Sequence, residues 1–263
     1  MNKEFLEPVA AIARRAGDAI LDVYATDFEV QSKDDDSPLT RADMAAHEII
    51  IEGLRELTPG MPILSEEAAN VPWEERRQWD SYWLVDPLDG TKEFIKRNGE
   101  FTVNIALVSD GVPTVGVVHV PVAARTYLGC TGVGAFRQEQ GEAPEAIQTR
   151  RPPATPLRVM ASRSHGSEAV ERLLQRIGDC EKVSAGSSLK FCRVAEGSAD
   201  LYPRFGPTSE WDTAAAQAVL EAAGGAVIDT EGNPFRYNQK ADLLNGHFLA
   251  VGDPEVNWTR HLD

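Results

Sequence analysis

The stretch Trp83-Leu84-Val85-Asp86-Pro87-Leu88-Asp89-Gly90-Thr91 constrains the rest of the chain more than any other. Three bulky apolar residues read as a short buried strand, and two carboxylates, a proline, a glycine and a hydroxyl follow at once. Pro87 fixes its own φ and pushes Asp86 toward an extended conformation, so the strand is expected to stop with the Asp86 carboxylate at its carboxyl end. Gly90 lets the backbone approach a ligand, and Thr91-Lys92-Glu93-Phe94-Ile95 can open a helix whose free N–H groups suit an anion. Two hard oxygen ligands beside a phosphate cradle make a place for Mg²⁺ and a phosphoryl group. In isolation, Asp-Pro-x-Asp-Gly is ordinary turn chemistry. Its partners elsewhere in the chain reverse that reading.

A chain of 263 residues, 42% hydrophobic and 25% charged, can bury a core as one large or two intimate domains. A net charge of −15 argues against a duplex nucleic acid or phosphoinositide partner, either of which requires a basic face. An anionic substrate must therefore be met locally. Cys130, Cys180 and Cys192 are odd in number and widely spaced, which suits a reducing cytoplasm better than a disulfide framework. A peripheral place on the inner face of the cell membrane is left open. No apolar run approaches the roughly 20 residues of a transmembrane helix, and the N-terminus, with Glu4 and Glu7, lacks the pattern of a signal peptide.

Phe5, Val9, Ile12, Ala16, Ile20 and Tyr24 recur every three or four residues, which predicts an amphipathic helix over the first 24 or so positions. At Thr40-Arg41-Ala42-Asp43 the pattern approximates a capping box, with Leu39 and Met44 as a hydrophobic staple, and the helix runs to about Leu57. Asp43 then sits at a positive helix end, where capping and catalysis are compatible. Met61 to Leu64 reads as a strand ending in Ser65-Glu66-Glu67, and one of the two glutamates becomes a third carboxylate if that strand neighbours Asp86. Phe101 to Val108 and Val112 to Val120 flank an Asp-Gly turn and form a hairpin, in which Asn104 and His119 read as satisfied core polar groups. Tyr127 to Cys130 and Ala135-Phe136 extend the sheet. The polar, proline-rich run from Gln138 to Pro156 places a boundary between an N-terminal α+β part, residues 1–152, and a C-terminal α/β part, 153–263.

The second part alternates: strand 157–161, helix 168–177, strand 181–184, helix 189–196, strand 200–203, helix 213–223 and strand 226–229. Three of its loops carry cations and hydroxyls: Ser162-Arg163-Ser164-His165, Gly186-Ser187-Ser188 before a helix bearing Lys190, and Arg204 to Thr208 leading into Glu210-Trp211-Asp212. Asp212 reads either as the N-cap of the alanine-rich helix after it or as a fourth carboxylate aimed at a metal.

Leu64-Ser65-Glu66-Glu67, Asp86-Pro87-Leu88-Asp89-Gly90-Thr91 and Trp211-Asp212-Thr213-Ala214-Ala215, in that order and spacing, resemble the inositol monophosphatase superfamily of lithium-sensitive, Mg²⁺-dependent phosphomonoesterases. Lys92 to Ile95, Gly186 to Phe191 and Tyr202 to Thr208 look like its 3'(2'),5'-bisphosphate nucleotidase branch, of CysQ type. The resemblance runs from about Ala10 to Ala250. It implies a mixed fold, a layered α/β/α/β/α sandwich, and two or three Mg²⁺ ions held by Glu66, Asp86, Asp89, Asp212 and the main-chain carbonyl of Leu88. Gly90 and Thr91 would offer N–H groups to phosphate, with Leu88, Asp89 and Asp212 around it. Asp43 would pair with the Thr91 hydroxyl to orient and deprotonate a water. The expected substrate is an adenosine bisphosphate, with Ser162, Arg163, Ser187, Ser188, Lys190 and Arg204 at hand and Lys190 on the remote 5'-phosphate.

The chemistry agrees with the resemblance. Phosphate-monoester hydrolysis demands rate enhancements of up to about 10²¹, and clustered metal ions can supply nucleophile activation and charge neutralisation together. Three rivals stand beside it: a haloacid-dehalogenase phosphatase with Asp86 as nucleophile, a non-catalytic acidic metal-binding scaffold, and an inositol phosphate or sugar bisphosphate phosphatase of the same superfamily.

Overall fold

The computed structural model describes residues 2–26, 38–161 and 168–262. Its first layer is a helix pair, α1 (Leu6–Tyr24) and α2 (Pro38–Leu57). Val9, Ile12, Ala13, Ala16 and Ile20 form the buried stripe of α1, as their spacing predicts, and Ile50 and Leu54 do the same for α2. The start of α2 differs from the capping-box expectation. The helix already begins at Pro38, whose fixed φ suits a first helical turn, so Thr40 lies inside it rather than at its cap. Met44 is 37% exposed and Leu39 is buried, so the two do not close a staple.

The second layer is a seven-stranded sheet in simple sequential order: β1 (Ile63–Ser65), β2 (Ser81–Asp89), β3 (Thr102–Ser109), β4 (Val112–Val120), β5 (Arg125–Cys130), β6 (Gly134–Glu139) and β7 (Glu145–Ile147). Only β1 and β2 are parallel; the others form an antiparallel meander. Between β1 and β2 lies a one-turn helix, α3 (Trp73–Arg76). The β3–β4 turn is the expected Asp-Gly pair, with φ of 51° at Asp110 and 74° at Gly111. Strand β2 does not stop at Asp86. It continues to Asp89 through a register shift between those residues, because Pro87 has no N–H for the ladder and the strand bulges past it instead of ending. Strand β7 lies within the run that the sequence reading left as linker.

The second sheet has the order β11-β12-β10-β8-β9, from β8 (Leu157–Ala161), β9 (Cys180–Ser184), β10 (Leu201–Arg204), β11 (Ala226–Asp229) and β12 (Phe248–Val251). Its helices are α5 (Glu168–Ile177), α6 (Leu189–Ala195) and α7 (Ala214–Ala222), with α4 (Thr91–Ile95) belonging to the first part. Strands β8, β9 and β10 are parallel neighbours, while β12 runs antiparallel to both β10 and β11.

Three apolar clusters show how the layers stack. One joins α1 and α2 to the outer face of the seven-stranded sheet. The largest fills the space between the sheets, around α6 and α7. The third seats Leu173 and Leu174 of α5 on the far face of the second sheet. The order is therefore α/β/α/β/α, as expected. Contact in the middle layer is close: a Cβ on Gly116 of β4 would lie 2.0 Å from the carbonyl oxygen of Ala215 in α7. The chain passes from one sheet to the other between Ile147 and Leu157, yet Tyr127 of β5 and Tyr202 of β10 share one core.

Candidate active site

Parallel pairing of β1 and β2 aligns their carboxyl ends. Ser65 stands opposite Val85, so Glu66, just past the end of β1, and Asp86, within β2, come side by side. Asp89 follows beyond the bulge, next to Gly90, which has a φ of 100° and precedes α4. Asp212 arrives from the other part of the chain, at the end of a 3₁₀ turn, Glu210–Asp212. It is not the N-cap of α7, which begins at Ala214 behind Thr213. All four carboxylates line one cavity of about 280 Å³, together with Leu88, Gly90 and Thr91. Glu66 lines this cavity and Glu67 does not, so one glutamate of the pair enters the site.

Three of the carboxylates are anchored by a main-chain N–H: Leu88 donates to Asp86 Oδ1 at 3.1 Å, Ser188 to Asp89 Oδ2 at 2.7 Å, and Ser209 to Asp212 Oδ2 at 2.8 Å. Each keeps its second oxygen. Burial, and then the fields of Asp89, Glu66, Asp212 and Asp43, push the Asp86 carboxyl well above the ordinary carboxylate range. Burial and Asp89 push Asp212 up to about 7, against the Ser209 N–H, which lowers it. Among the described residues no group of three such side chains forms a ready-made cage for an ion. The fit to a divalent metal lies in the donor chemistry: an all-oxygen set of converging, mutually repelling carboxylates is what a hard cation relieves.

The loop before α6 reaches across to this metal-type corner. The Ser187 hydroxyl donates to the carbonyls of Asp89, at 2.9 Å, and Glu100, at 2.8 Å, and the Gly186 N–H meets Glu100 Oε2 at 2.7 Å. Ser187 lines the cavity; Ser188 is buried behind it against Asp89. Lys190 is not a solvated surface lysine. It is buried in the cavity wall, with Nζ donating to the carbonyl of Ser187 at 2.8 Å and lying 5.4 Å from the ring centre of Tyr202. Burial lowers its pKa to about 8, opposed by nearby Asp89 and reinforced by Arg204. Arg204 donates from Nη2 to the Pro207 carbonyl at 2.9 Å, while its buried Nε has no hydrogen-bond partner among the described residues.

Asp43 lies buried on α2, close enough to act on Asp86, and α2 packs on the short helix that Thr91 opens. Ser162 and Arg163, expected near the substrate, lie outside the described residues. Thr208, on the loop that the sequence marks for its hydroxyl, also lines the cavity, as do Tyr202 and Phe191, which the sequence offers only as ends of family-like stretches, since an aromatic on a strand or helix carries no local functional signal. Asn104 was read as a core residue. It faces Ser188, and its register partner across the sheet is Asp86, which only the strand pairing reveals.

A sandwich of this layering, with carboxylates delivered to one cavity by β1, β2 and the turn before α7, defines a class. The sequence pattern of the inositol monophosphatase family matches residues 1–256, and the chain belongs to that family. It is 54% identical to the 3'(2'),5'-bisphosphate nucleotidase CysQ of Salmonella typhimurium over 250 residues, which cover 94% of this chain and 99% of that protein. The crystal structure of CysQ from Bacteroides thetaiotaomicron, a bacterial member of the inositol monophosphatase family, superposes with a TM-score of 0.83 at 45% identity, covering 93% of this chain and 96% of that one. An inositol monophosphatase from Zymomonas mobilis shares the fold, with a TM-score of 0.81 at 24% identity over 99% of this chain and 98% of that one. Among the described residues, no helix is long and apolar enough to cross a membrane.

Gly90 is a point of close contact between the two parts of the site. A Cβ there would stand 2.0 Å from Ser187 Oγ, on a backbone that side chains rarely adopt. Gly90→Ala is therefore expected to cost more than about 2 kcal/mol of unfolding free energy, combining strain and clash. Gly60→Ala shares the left-handed backbone but meets no atom within 4 Å, so it isolates the backbone cost, about 1 kcal/mol. Urea unfolding of both variants measures the difference, and equal losses would show that the Gly90–Ser187 contact is not tight.

Proposed function

We propose that the chain is a divalent-metal-dependent 3'(2'),5'-bisphosphate nucleotidase, a phosphoric monoester hydrolase that converts 3'-phosphoadenosine 5'-phosphate to AMP and phosphate. The observation that carries this reading is a single cavity whose lining combines the carboxylates Glu66, Asp86, Asp89 and Asp212 with the cations Lys190 and Arg204, and whose rim at α4 adds Lys92 and Glu93. The carboxylates suit a metal that meets the scissile phosphate. The cations suit a second anionic group on the same substrate. The relatives whose printed name is 3'(2'),5'-bisphosphate nucleotidase support the same substrate class.

In this reading Glu66, Asp86, Asp89, Asp212 and the Leu88 carbonyl hold Mg²⁺, two or three ions by the family pattern. When bound, those ions supply an acidified water and neutralise the phosphoryl oxygens. The Gly90 and Thr91 N–H groups cradle the phosphoryl group as it turns over. Asp43 accepts a hydrogen bond from the Thr91 hydroxyl, so that as the Thr91 oxygen takes the proton of the attacking water it passes its own proton to the Asp43 carboxylate. Arg204, with an Nε that lacks a partner among the described residues, and Lys190 meet the remote phosphate. Lys190 also holds the loop carbonyls of Ala185 and Ser187, so its loss would disturb the wall as well as the charge. Residues 1–152 then carry most of the metal ligands, and 153–263 bring Asp212 and the cationic loops. The three free cysteines suit a reducing compartment, and the cytoplasm is the proposed location.

Phosphate release across a panel of 3'-phosphoadenosine 5'-phosphate, 3'-AMP, inositol 1-phosphate and fructose 1,6-bisphosphate tests the assignment, with Mg²⁺ and with excess chelator. The adenosine bisphosphate should be turned over fastest and chelator should abolish turnover. Arg204→Met should lower kcat/KM for the bisphosphate about 10- to 100-fold while leaving 3'-AMP nearly unchanged, the size expected of a lost charge-assisted bond. Faster turnover of the inositol or sugar phosphate would overturn the nucleotidase reading.

The Asp43 and Thr91 assignment has its own test. If the two act as a unit, Asp43→Asn and Thr91→Val each lower kcat to a similar extent, and the double variant loses little more. Multiplicative losses would separate them.

A further inference from the structure

We infer that Ser188, oriented by Asn104, is a positioning residue that sets the affinity of the site for its divalent cation and does not bind substrate. The inference rests on the reading of Asp89 and Asp212 as metal ligands. Ser188 is 1% exposed and sits behind the cavity wall, not in it. Its N–H and its hydroxyl both reach the same atom, Asp89 Oδ2, at 2.7 and 2.8 Å. Its Oγ is also 2.8 Å from the main-chain oxygen of Asp212. One hydroxyl therefore touches the ligand that comes from β2 and the ligand that comes from the turn before α7. No other atom in the described residues is recorded as hydrogen-bonded to both.

A serine hydroxyl has one proton and two lone pairs, so its direction must be set by a neighbour. Asn104 supplies that direction. Its Nδ2 donates to Ser188 Oγ at 2.9 Å and lies 3.5 Å from Asp89 Oδ2. The opposite amide orientation would turn a carbonyl oxygen toward a carboxylate, so the N–H₂ face is the one that fits. With one Ser188 lone pair occupied, the hydroxyl proton is turned toward the Asp89 carboxylate and the Asp212 carbonyl, of which the charged acceptor forms the stronger bond. Asp89 Oδ2 is thus held closely by the Ser188 N–H and hydroxyl, with Asn104 Nδ2 and Thr102 Oγ1 each at 3.5 Å. Asp89 Oδ1 keeps no hydrogen-bond partner among the described residues and is the oxygen left for a cation. Partners of this kind orient a ligand and typically govern metal affinity.

The test uses the full-length protein freed of metal and titrated with Mn²⁺, read by the loss of the free-ion electron paramagnetic resonance signal. Ser188→Ala should weaken Mn²⁺ binding by about 10- to 100-fold, and Ser188→Thr, which keeps the hydroxyl, should restore most of it. At saturating Mn²⁺ the KM for the adenosine bisphosphate should match wild type. Asn104→Ala should weaken Mn²⁺ as well, with less than multiplicative loss when combined with Ser188→Ala. An unchanged Mn²⁺ affinity in Ser188→Ala with a raised KM would make Ser188 a substrate contact and overturn the inference. A lowered melting temperature with unchanged Mn²⁺ affinity would reduce it to a packing role and overturn it equally. Asp89→Asn serves as the reference: if it too binds Mn²⁺ like wild type, the metal-site reading itself fails, a result distinct from failure at Ser188 alone.

Discussion

The repulsion among Glu66, Asp86, Asp89 and Asp212 is the interaction on which the rest of the molecule depends. Four carboxylates gathered in a poorly solvated cavity oppose folding, and they do so most at neutral pH, where unfolding lets each one ionise in water. The raised carboxyls of Asp86 and Asp212 record that cost. A carboxylate whose folded pKa is raised destabilises the protein above that pKa, and the penalty fades as pH falls through it. The fold holds the group together because each carboxylate comes from an element fixed by something else. The β1–β2 pairing fixes Glu66 and Asp86, the bulge fixes Asp89, and the large core between the sheets fixes the turn that carries Asp212.

That division of labour explains why the two parts of the chain are fused through a common core. Asp212 has to be delivered to a site otherwise built by residues 66–91, and a flexible hinge would let the repelling groups separate. The loop from Ala185 to Lys190 closes the joint. Ser187 reaches the carbonyls of Asp89 and Glu100, Ser188 reaches Asp89 and Asp212, and Lys190 ties the loop to itself. The same loop leads into Lys190 of the cationic wall, while Arg204 comes from the end of β10. The carboxylates and Lys190 are therefore positioned by one set of contacts.

What the sequence made legible was the chemistry that sits in consecutive residues. The Asp-Pro-x-Asp-Gly-Thr run, the Glu-Glu pair after a strand and Trp-Asp before an alanine-rich helix are local patterns, and the structure gathers Glu66, Asp86, Asp89 and Asp212 around one cavity. The alternation of strands and helices after residue 157 was legible for the same reason. What escaped was decided by pairing at long range. Asn104 is the buried, hydrogen-bonded core residue that its pattern suggested, but its partner, Ser188, lies 84 positions away and was not legible. Ser188 looked like a substrate contact because a Gly-Ser-Ser loop before a helix suits phosphate, and only the folded chain turns it onto Asp89. Strand β7 was lost in a polar run, since a short edge strand needs little apolar content. Thr40 resembled a cap because helix caps and first-turn residues share a composition, and Pro38 started the helix earlier.

The central claim is that buried carboxylate repulsion opposes folding until a divalent cation relieves it. Thermal unfolding of wild type and Asp86→Asn at neutral pH tests it directly, since asparagine keeps an oxygen for the Leu88 N–H and removes only the charge. In excess chelator the variant should melt a few degrees higher than wild type, about 2–4 °C for each kcal/mol of repulsion removed. In millimolar Mg²⁺ the order should reverse, because wild type gains binding free energy that the variant has lost. A variant that melts below wild type in chelator would contradict the account, for it would mean that the four carboxylates are stabilised by the protein alone.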